Sequence, residues 1–139
     1  MKQAQTTLTL NTNGQALYEF THLVENWVHK SEIDTGLLTL FCCHTSASLT
    51  IQENADPDVQ LDLIEFFKRL IPENTPWLRH VLEGRDDMPA HIKTALTDVS
   101  LSIPISEKRM VLGMWQGVYL FEHRHHFHQR QITMHIIGE

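Results

Sequence analysis

The sequence predicts one domain in which helices and strands are mixed. Its length of 139 residues is typical of a single domain and suffices to bury a core without disulfide or metal support. Apolar residues recur at helical spacing in Ala16–His29 and again after Asp56-Pro57. The last third of the chain is instead rich in β-branched and apolar residues, which is typical of strands. We therefore expect residues 1–139 to form one domain of mixed secondary structure.

Strands and helices alternate in the first half of the chain. Thr6–Leu10 alternates polar and apolar residues, which predicts a strand, and Ala16–His29 predicts an amphipathic helix. The continuous apolar run Leu37–Cys43 predicts a buried strand. Ala47–Gln52 predicts either the continuation of that strand or a partner for it.

The second half passes from helix to sheet. Asp56-Pro57 has the pattern of an N-cap followed by proline at the first helical position, so a second helix should begin there and end before Pro72. A short third helix should run from Pro89 or Ala90 to about Leu96. Three further strands are predicted at Val99–Ile105, Met110–Phe121 and Gln131–Ile137.

Composition and charge exclude several classes of protein. A net charge of -6 argues against binding to nucleic acid, which needs a basic face. No apolar run is long enough to span a membrane, and the chain opens with a polar segment rather than a signal region. The adjacent Cys42 and Cys43 are expected to be free thiols, so we expect a cytoplasmic protein with no nucleic-acid or membrane partner.

His44 stands at the end of the predicted strand Leu37–Cys43. Strand ends deliver side chains into clefts, and the hydroxyl groups of Thr45 and Ser46 can hydrogen-bond an anion or the oxygen atoms of a ligand. The alternative is a histidine whose hydrogen bonds are satisfied at a strand end. Taken alone, His44 favours this alternative.

His80 and His91 flank an acidic turn that contains Asp86-Asp87. Neutral imidazole is a common ligand of transition metals, and a carboxylate can orient a ligating histidine through its ring N–H. The two aspartates could also bind magnesium directly. The alternative is a solvated acidic loop that carries histidines, and the spacing matches no familiar zinc motif.

Two other segments supply candidate ligand contacts. Asn54 precedes the second helix and is not explained by helix capping. Gly113 and Gly117 flank Gln116 within a predicted strand, where glycine usually marks a bulge or the close approach of a ligand or neighbouring chain. Arg124 and Arg130 follow that strand, and arginine is suited to bidentate binding of phosphate, although a single arginine is more often a surface residue.

Four stretches of the sequence resemble the YjbQ-like family, which is also called the secondary thiamine-phosphate synthase family. They are Cys43–Thr50, Glu53–Pro57, Glu83-Gly84 with Asp86–Lys93, and Gly113–Leu120. The resemblance covers essentially the whole chain, and Asp86–Lys93 together with the Trp-Gln-Gly strand is its most specific part. The chain departs from the family at His123–Gln129, where the family has an acidic-glycine turn.

The resemblance implies an α+β fold in which mixed or antiparallel sheets pack with a few helices, assembled as a homotrimer. It implies a site in which His44, His80 and His91 hold a divalent metal ion, zinc or magnesium. It also implies a weak transferase activity that joins a pyrimidine-methyl diphosphate to a thiazole phosphate. With the residue patterns above, Asp87 and Gln116 are predicted to be catalytic as well. Substrate contacts are predicted at Thr45, Ser46, Asn54, Glu122, Arg124 and Arg130.

Two functions remain open at this point. The first is an enzyme that acts on a small phosphorylated metabolite with a histidine-bound metal ion, by transfer or by hydrolysis. The second is a metal- or metabolite-binding protein without turnover. The co-occurrence of histidines, the aspartate pair, Gln116 and arginines near one expected cleft favours the first, and the absence of a recognisable nucleophile–base pair favours the second. The absence of a glycine-rich phosphate loop argues against efficient diphosphate chemistry.

Overall fold

Two antiparallel sheets form the body of the protein, and three helices connect and cover them. The computed structural model describes residues 1–139. In chain order the elements are β1 (Lys2–Asn13), β2 (Ala16–Glu19), α1 (Thr21–Lys30), β3 (Gly36–Cys42), β4 (Ala47–Glu53), α2 (Pro57–Leu70), α3 (Asp87–Leu96), β5 (Ser100–Ser106), β6 (Arg109–Met110), β7 (Gln116–Glu122) and β8 (Phe127–Gly138). The expected α+β class, with antiparallel sheets and a few helices, is confirmed.

The larger sheet has the strand order β1-β8-β3-β5-β6, and the smaller sheet has the order β2-β7-β4. The long strand β8 is central to the larger sheet, because it pairs with β1 on one side and with β3 on the other. The main cluster of buried apolar side chains draws on both sheets and on α1, including Val24, Leu38, Leu49 and Leu120. The sheets and α1 therefore share one core.

The first predicted helix begins later than the apolar spacing indicates. Ala16–Glu19 forms β2, which pairs with β7 in the register Ala16↔Glu122, and α1 begins only at Thr21. Pairing with a strand about a hundred residues away overrides the local helical spacing, as tertiary context commonly does. No helix of the protein is both long and apolar enough to span a membrane.

The predicted strand Met110–Phe121 is two strands in the structure. β6 ends at Met110 and β7 begins at Gln116, and a turn closed by the Gln116 N–H and the Gly113 carbonyl lies between them. β4 neither continues β3 nor pairs with it, because it pairs with β7 in the other sheet. The turn between β3 and β4 thus carries the chain from one sheet to the other, and it contains His44.

Candidate functional site

Two histidines and one aspartate meet at the start of α3. Asp87 and His91 lie one turn apart on the same face of this helix, and His80 comes from the irregular segment before it. The Nε2 atom of His80 lies 2.7 Å from Oδ2 of Asp87, and Nε2 of His91 lies 3.1 Å from the same oxygen. The three potential ligand atoms all lie within 4.8 Å of one another, so this group could hold a metal ion.

A backbone carbonyl sets the orientation of the His91 ring. Nδ1 of His91 lies 2.8 Å from the carbonyl oxygen of Thr45, which can only accept, so Nδ1 is the donor. A neutral His91 therefore presents the lone pair of Nε2 to the carboxylate oxygen of Asp87. Two lone pairs at 3.1 Å repel each other unless a positive charge lies between them. The arrangement suits either a metal ion or a protonated ring, and the Nδ1 contact is the usual support of a metal-ligating histidine.

Arg124 holds both aspartates of the acidic turn. Its Nη1 donates to Oδ1 of Asp87 at 2.6 Å, and its Nε donates to Oδ2 of Asp86 at 2.9 Å. Burial alone would raise the pKa of Asp87, but the hydrogen bond from His80 and the charge of Arg124 outweigh it, so the pKa is lowered. Asp87 is therefore ionised at neutral pH, as a metal ligand must be.

A cleft opens beside His91. It has a volume of about 880 Å³, and its lining includes Phe41, His44, Thr45, Thr94 and Val99. The lining combines apolar surface with hydroxyl and imidazole groups, which is typical of sites for small molecules. A molecule in this cleft would lie next to the metal-binding group, on the side of His91.

His44 lines the same cleft but is not part of the metal-binding group. Its Nε2 accepts the backbone N–H of Gln131 at 2.7 Å, which leaves the ring proton on Nδ1. Burial, and then the charge of Arg130, lower the pKa of His44, so the ring is neutral. The structure thus brings His80 and His91 together and places His44 near them, with its Nε2 lone pair already used by the backbone.

Arg130 and Glu122 form a buried ion pair. Both residues are almost fully inaccessible, and Nη2 of Arg130 lies 2.6 Å from Oε2 of Glu122. The same nitrogen also donates to the carbonyl and hydroxyl oxygens of Ser46, and Thr12 donates to the carboxylate. The structure therefore places Ser46, Glu122 and Arg130, three predicted substrate contacts, in one buried hydrogen-bonded group between the two sheets.

Asn54 and Gln116 lie at the other end of the smaller sheet. β4 and β7 pair in the register Ala47↔Glu122 at one end and Glu53↔Gln116 at the other. Six residues of strand separate these ends, a distance of about 20 Å. The structure does not bring Asn54 or Gln116 to the group around Asp87.

Two features of the site escape the sequence patterns. Thr45 orients the His91 ring through its backbone carbonyl, and a backbone contact cannot be predicted from the residue type. His123 belongs to the histidine-rich segment but is buried, with Nε2 2.9 Å from the Ser48 hydroxyl and no partner for Nδ1. The i, i+4 spacing of Asp87 and His91 was an available signal for the metal-binding group. The third helix was predicted to begin only at Pro89 or Ala90, whereas α3 begins at Asp87 and so brings both residues onto one helix face.

Comparison with known proteins identifies the relatives of this chain. Residues 6–139 match the family model described as "UPF0047 protein YjbQ-like". The chain belongs to the YjbQ-like family. It is 51% identical over 138 residues to the UPF0047 protein sll1880 of Synechocystis sp., covering 99% of this chain and 94% of the relative. It is 41% identical over 136 residues to YjbQ of Escherichia coli O157:H7, covering 97% and 98%.

Solved structures share the fold. The conserved hypothetical protein TT1486 of Thermus thermophilus superposes with a TM-score of 0.82 at 36% identity, covering 93% of this chain and 97% of that one. A yjbq/upf0047 protein of Clostridium acetobutylicum gives a TM-score of 0.83 at 33% identity, covering 96% and 99%. The family and its α+β architecture are thereby established for this YjbQ-like chain.

Proposed function

We propose that this YjbQ-like protein is a metal-dependent enzyme that acts on a small phosphorylated metabolite. The observation that carries the proposal is the convergence of two imidazole nitrogens on the Asp87 carboxylate, with His91 oriented by Thr45. The group would hold the ion through His80, Asp87 and His91. The cleft beside His91 would hold the metabolite.

Zinc suits this group better than magnesium. Two imidazoles and one carboxylate are a usual catalytic set for zinc, whereas magnesium prefers oxygen ligands and keeps several waters. Three protein ligands leave a coordination position for water or substrate. When bound, such an ion would supply positive charge to neutralise a leaving phosphate or diphosphate.

The specific reaction we propose is the slow synthesis of thiamine phosphate. The bond between the pyrimidine methylene carbon and the diphosphate oxygen breaks, a bond from that carbon to the thiazole nitrogen forms, and pyrophosphate leaves with the electron pair. The family resemblance motivates this choice. The hydroxyl and imidazole groups of Thr45 and His44 line the cleft and would position the reacting molecules.

The test is an assay of the purified protein with both substrates, with and without a chelator. We expect slow turnover that a chelator abolishes and added zinc restores, and we expect none in His91→Ala. The control is His126→Ala, because His126 is exposed and makes no side-chain hydrogen bond. Turnover that survives the chelator, or full activity in His91→Ala, would contradict the metal-dependent mechanism.

A binding protein without turnover is the second candidate. The observation that favours it is the position of Arg130, which is buried and whose Nε and Nη2 donate to Glu122 and Ser46 rather than facing the cleft beside His91. Calorimetry with zinc and phosphorylated metabolites, beside assays for pyrophosphate and phosphate release, separates the candidates. Binding without either product supports the binding protein, and phosphate release alone supports a hydrolase.

We also propose that the protein is a cytoplasmic homotrimer. Cys42 and Cys43 are both free, which suits a reducing compartment. Exposed apolar side chains on β3 and β8, among them Leu37, Phe41 and Ile137, offer a surface for association. The backbone of β7 cannot pair with a neighbouring chain, because β2 and β4 already pair with this strand on both sides. Light scattering should return the mass of three chains, and a monomer mass at micromolar concentration would contradict the trimer.

A further inference from the structure

A second cleft lies at the end of the smaller sheet where Asn54 and Gln116 are found. It has a volume of about 510 Å³, within the range of small-molecule sites. It is enclosed by α1, by the turn before β6 and by the segment that precedes β7. The group around Asp87 lies at the other end of β4 and β7, so the metal-dependent function proposed above does not use this cleft.

The charges of this cleft are separated. Glu19 and Glu25 line it from the side of β2 and α1, and Lys108 and Arg109 line it from the turn between β5 and β6. No ion pair forms between the two sides, and neither basic side chain makes a hydrogen bond within the chain. On the acidic side, Oε2 of Glu25 lies 3.3 Å from Nδ1 of His22, which also lines the cleft. Acidic and basic side chains that face one cleft without pairing across it form complementary sites for a ligand that carries both charges.

The anionic side is held in place by its surroundings. The buried Thr21 hydroxyl donates to Oε2 of Glu19 at 2.8 Å and accepts the backbone N–H of Val118 at 2.9 Å. A side chain at Gly117 would place its Cβ 2.7 Å from Oε2 of Glu19 and 3.1 Å from Cβ of Asn54. The glycine therefore leaves the space in which Glu19 and Asn54 lie side by side.

The cationic side stands on a tight turn. Glu107 and Lys108 both have left-handed backbone conformations, with φ of 52° and 61°. The Lys108 N–H is bonded to the Asp34 carbonyl at 3.1 Å, which ties the turn to the end of the segment after α1. Arg109 follows directly, so its side chain starts from a constrained backbone opposite α1.

We propose that this cleft binds a small zwitterionic amino compound with an apolar side chain, of the size of a dipeptide. The ammonium group would be bound by Glu19 and Glu25, and the carboxylate by Lys108 and Arg109, with arginine offering two parallel donors. The apolar part would lie on the side chains of Met110, Leu112 and Met114, which also line the cleft. This site is separate from the metal-binding group, so the protein would bind the zwitterionic compound in addition to the metal ion and the metabolite proposed above.

The experiment is calorimetry with L-leucyl-L-leucine and with the same dipeptide N-acetylated or C-amidated. We expect the free dipeptide to bind at least about tenfold more tightly than either capped form, because each cap removes one charge-assisted contact. Glu19→Gln should erase the preference for the free amino group, and Arg109→Gln should erase the preference for the free carboxylate. The matched controls are Glu65→Gln and Arg69→Gln, which alter an exposed ion pair on α2.

Three results would overturn the proposal. The first is the absence of dipeptide binding at millimolar concentration, and the second is equal binding of the capped and free dipeptides. The third is that Glu19→Gln and Arg109→Gln both fold normally by circular dichroism and still prefer the free dipeptide as the unchanged protein does. His91→Ala should bind the dipeptide as the unchanged protein does. If His91→Ala lost dipeptide binding, the two sites would not be separate, whatever the outcome of the metal-dependent assay.

Discussion

The Nδ1 atom of His91 donates a hydrogen bond to the backbone carbonyl of Thr45 across a distance of 2.8 Å. This contact joins α3 to the turn that passes from one sheet to the other. It directs the Nε2 lone pair of His91 toward Asp87 and so prepares the group for a cation. The contact belongs to the backbone of Thr45, so a substitution of that side chain should preserve it.

The first prediction concerns zinc affinity. His80→Ala and His91→Ala each remove one of three ligands, so zinc binding should weaken at least a hundredfold. Thr45→Ala should change it little, because only the carbonyl of Thr45 supports His91. Competition with a chromophoric chelator measures these affinities. Equal zinc affinity in His80→Ala and in the exposed-residue variant His126→Ala would contradict the assignment.

The sequence predicted the acidic turn with His80 and His91, because these residue types cluster in a short stretch around Asp86-Asp87. It could not place His44 or Gln116. Their positions depend on the register of β4 against β7 and on the change of sheet after β3, which are long-range pairings. Ala16–Glu19 shows the same effect, since pairing with β7 overrides its helical spacing.

The second prediction concerns Arg124. Arg124→Gln leaves the buried carboxylates of Asp86 and Asp87 without their cation, so the free energy of unfolding should fall by about 3 kcal/mol. Arg69→Gln is the control, because its ion pair with Glu65 is exposed and should contribute less than about 1 kcal/mol. Urea unfolding measures both. An Arg124→Gln variant as stable as the control would contradict the role of the guanidinium.

The third prediction concerns the buried pair of Glu122 and Arg130. Burial would raise the pKa of Glu122, but hydrogen bonds from Arg130 and Thr12 outweigh it and lower the pKa. Glu122→Gln or Arg130→Met should each cost about 3–5 kcal/mol, because each leaves an unpaired buried group. The double variant should cost less than the sum of the two. Additive losses in a double-mutant cycle would show that the two side chains act independently.

The fourth prediction concerns pH. Burial, and then the charge of Lys93, lower the pKa of His123 to about 3. Between about pH 3 and 6.5 the unfolded chain therefore binds a proton that the folded chain does not, so stability falls as the pH falls. From pH 7.5 to pH 5 this group should cost about 2 kcal/mol. His123→Gln should remove that part of the slope in urea unfolding, and the exposed-residue variant His126→Gln should keep it.

The most direct test of the metal-binding group is the tautomer and ligation of its histidines, observed by long-range ¹⁵N–¹H NMR during a zinc titration. We predict that His91 carries its proton on Nδ1, and that Nε2 of His80 and of His91 shift together and saturate at one zinc per chain. His44, whose Nε2 accepts a backbone N–H, should keep its ring signals. Protonation of neutral His91 on Nε2, or saturation with zinc while the Nε2 signals of His80 and His91 remain unchanged, would contradict the account.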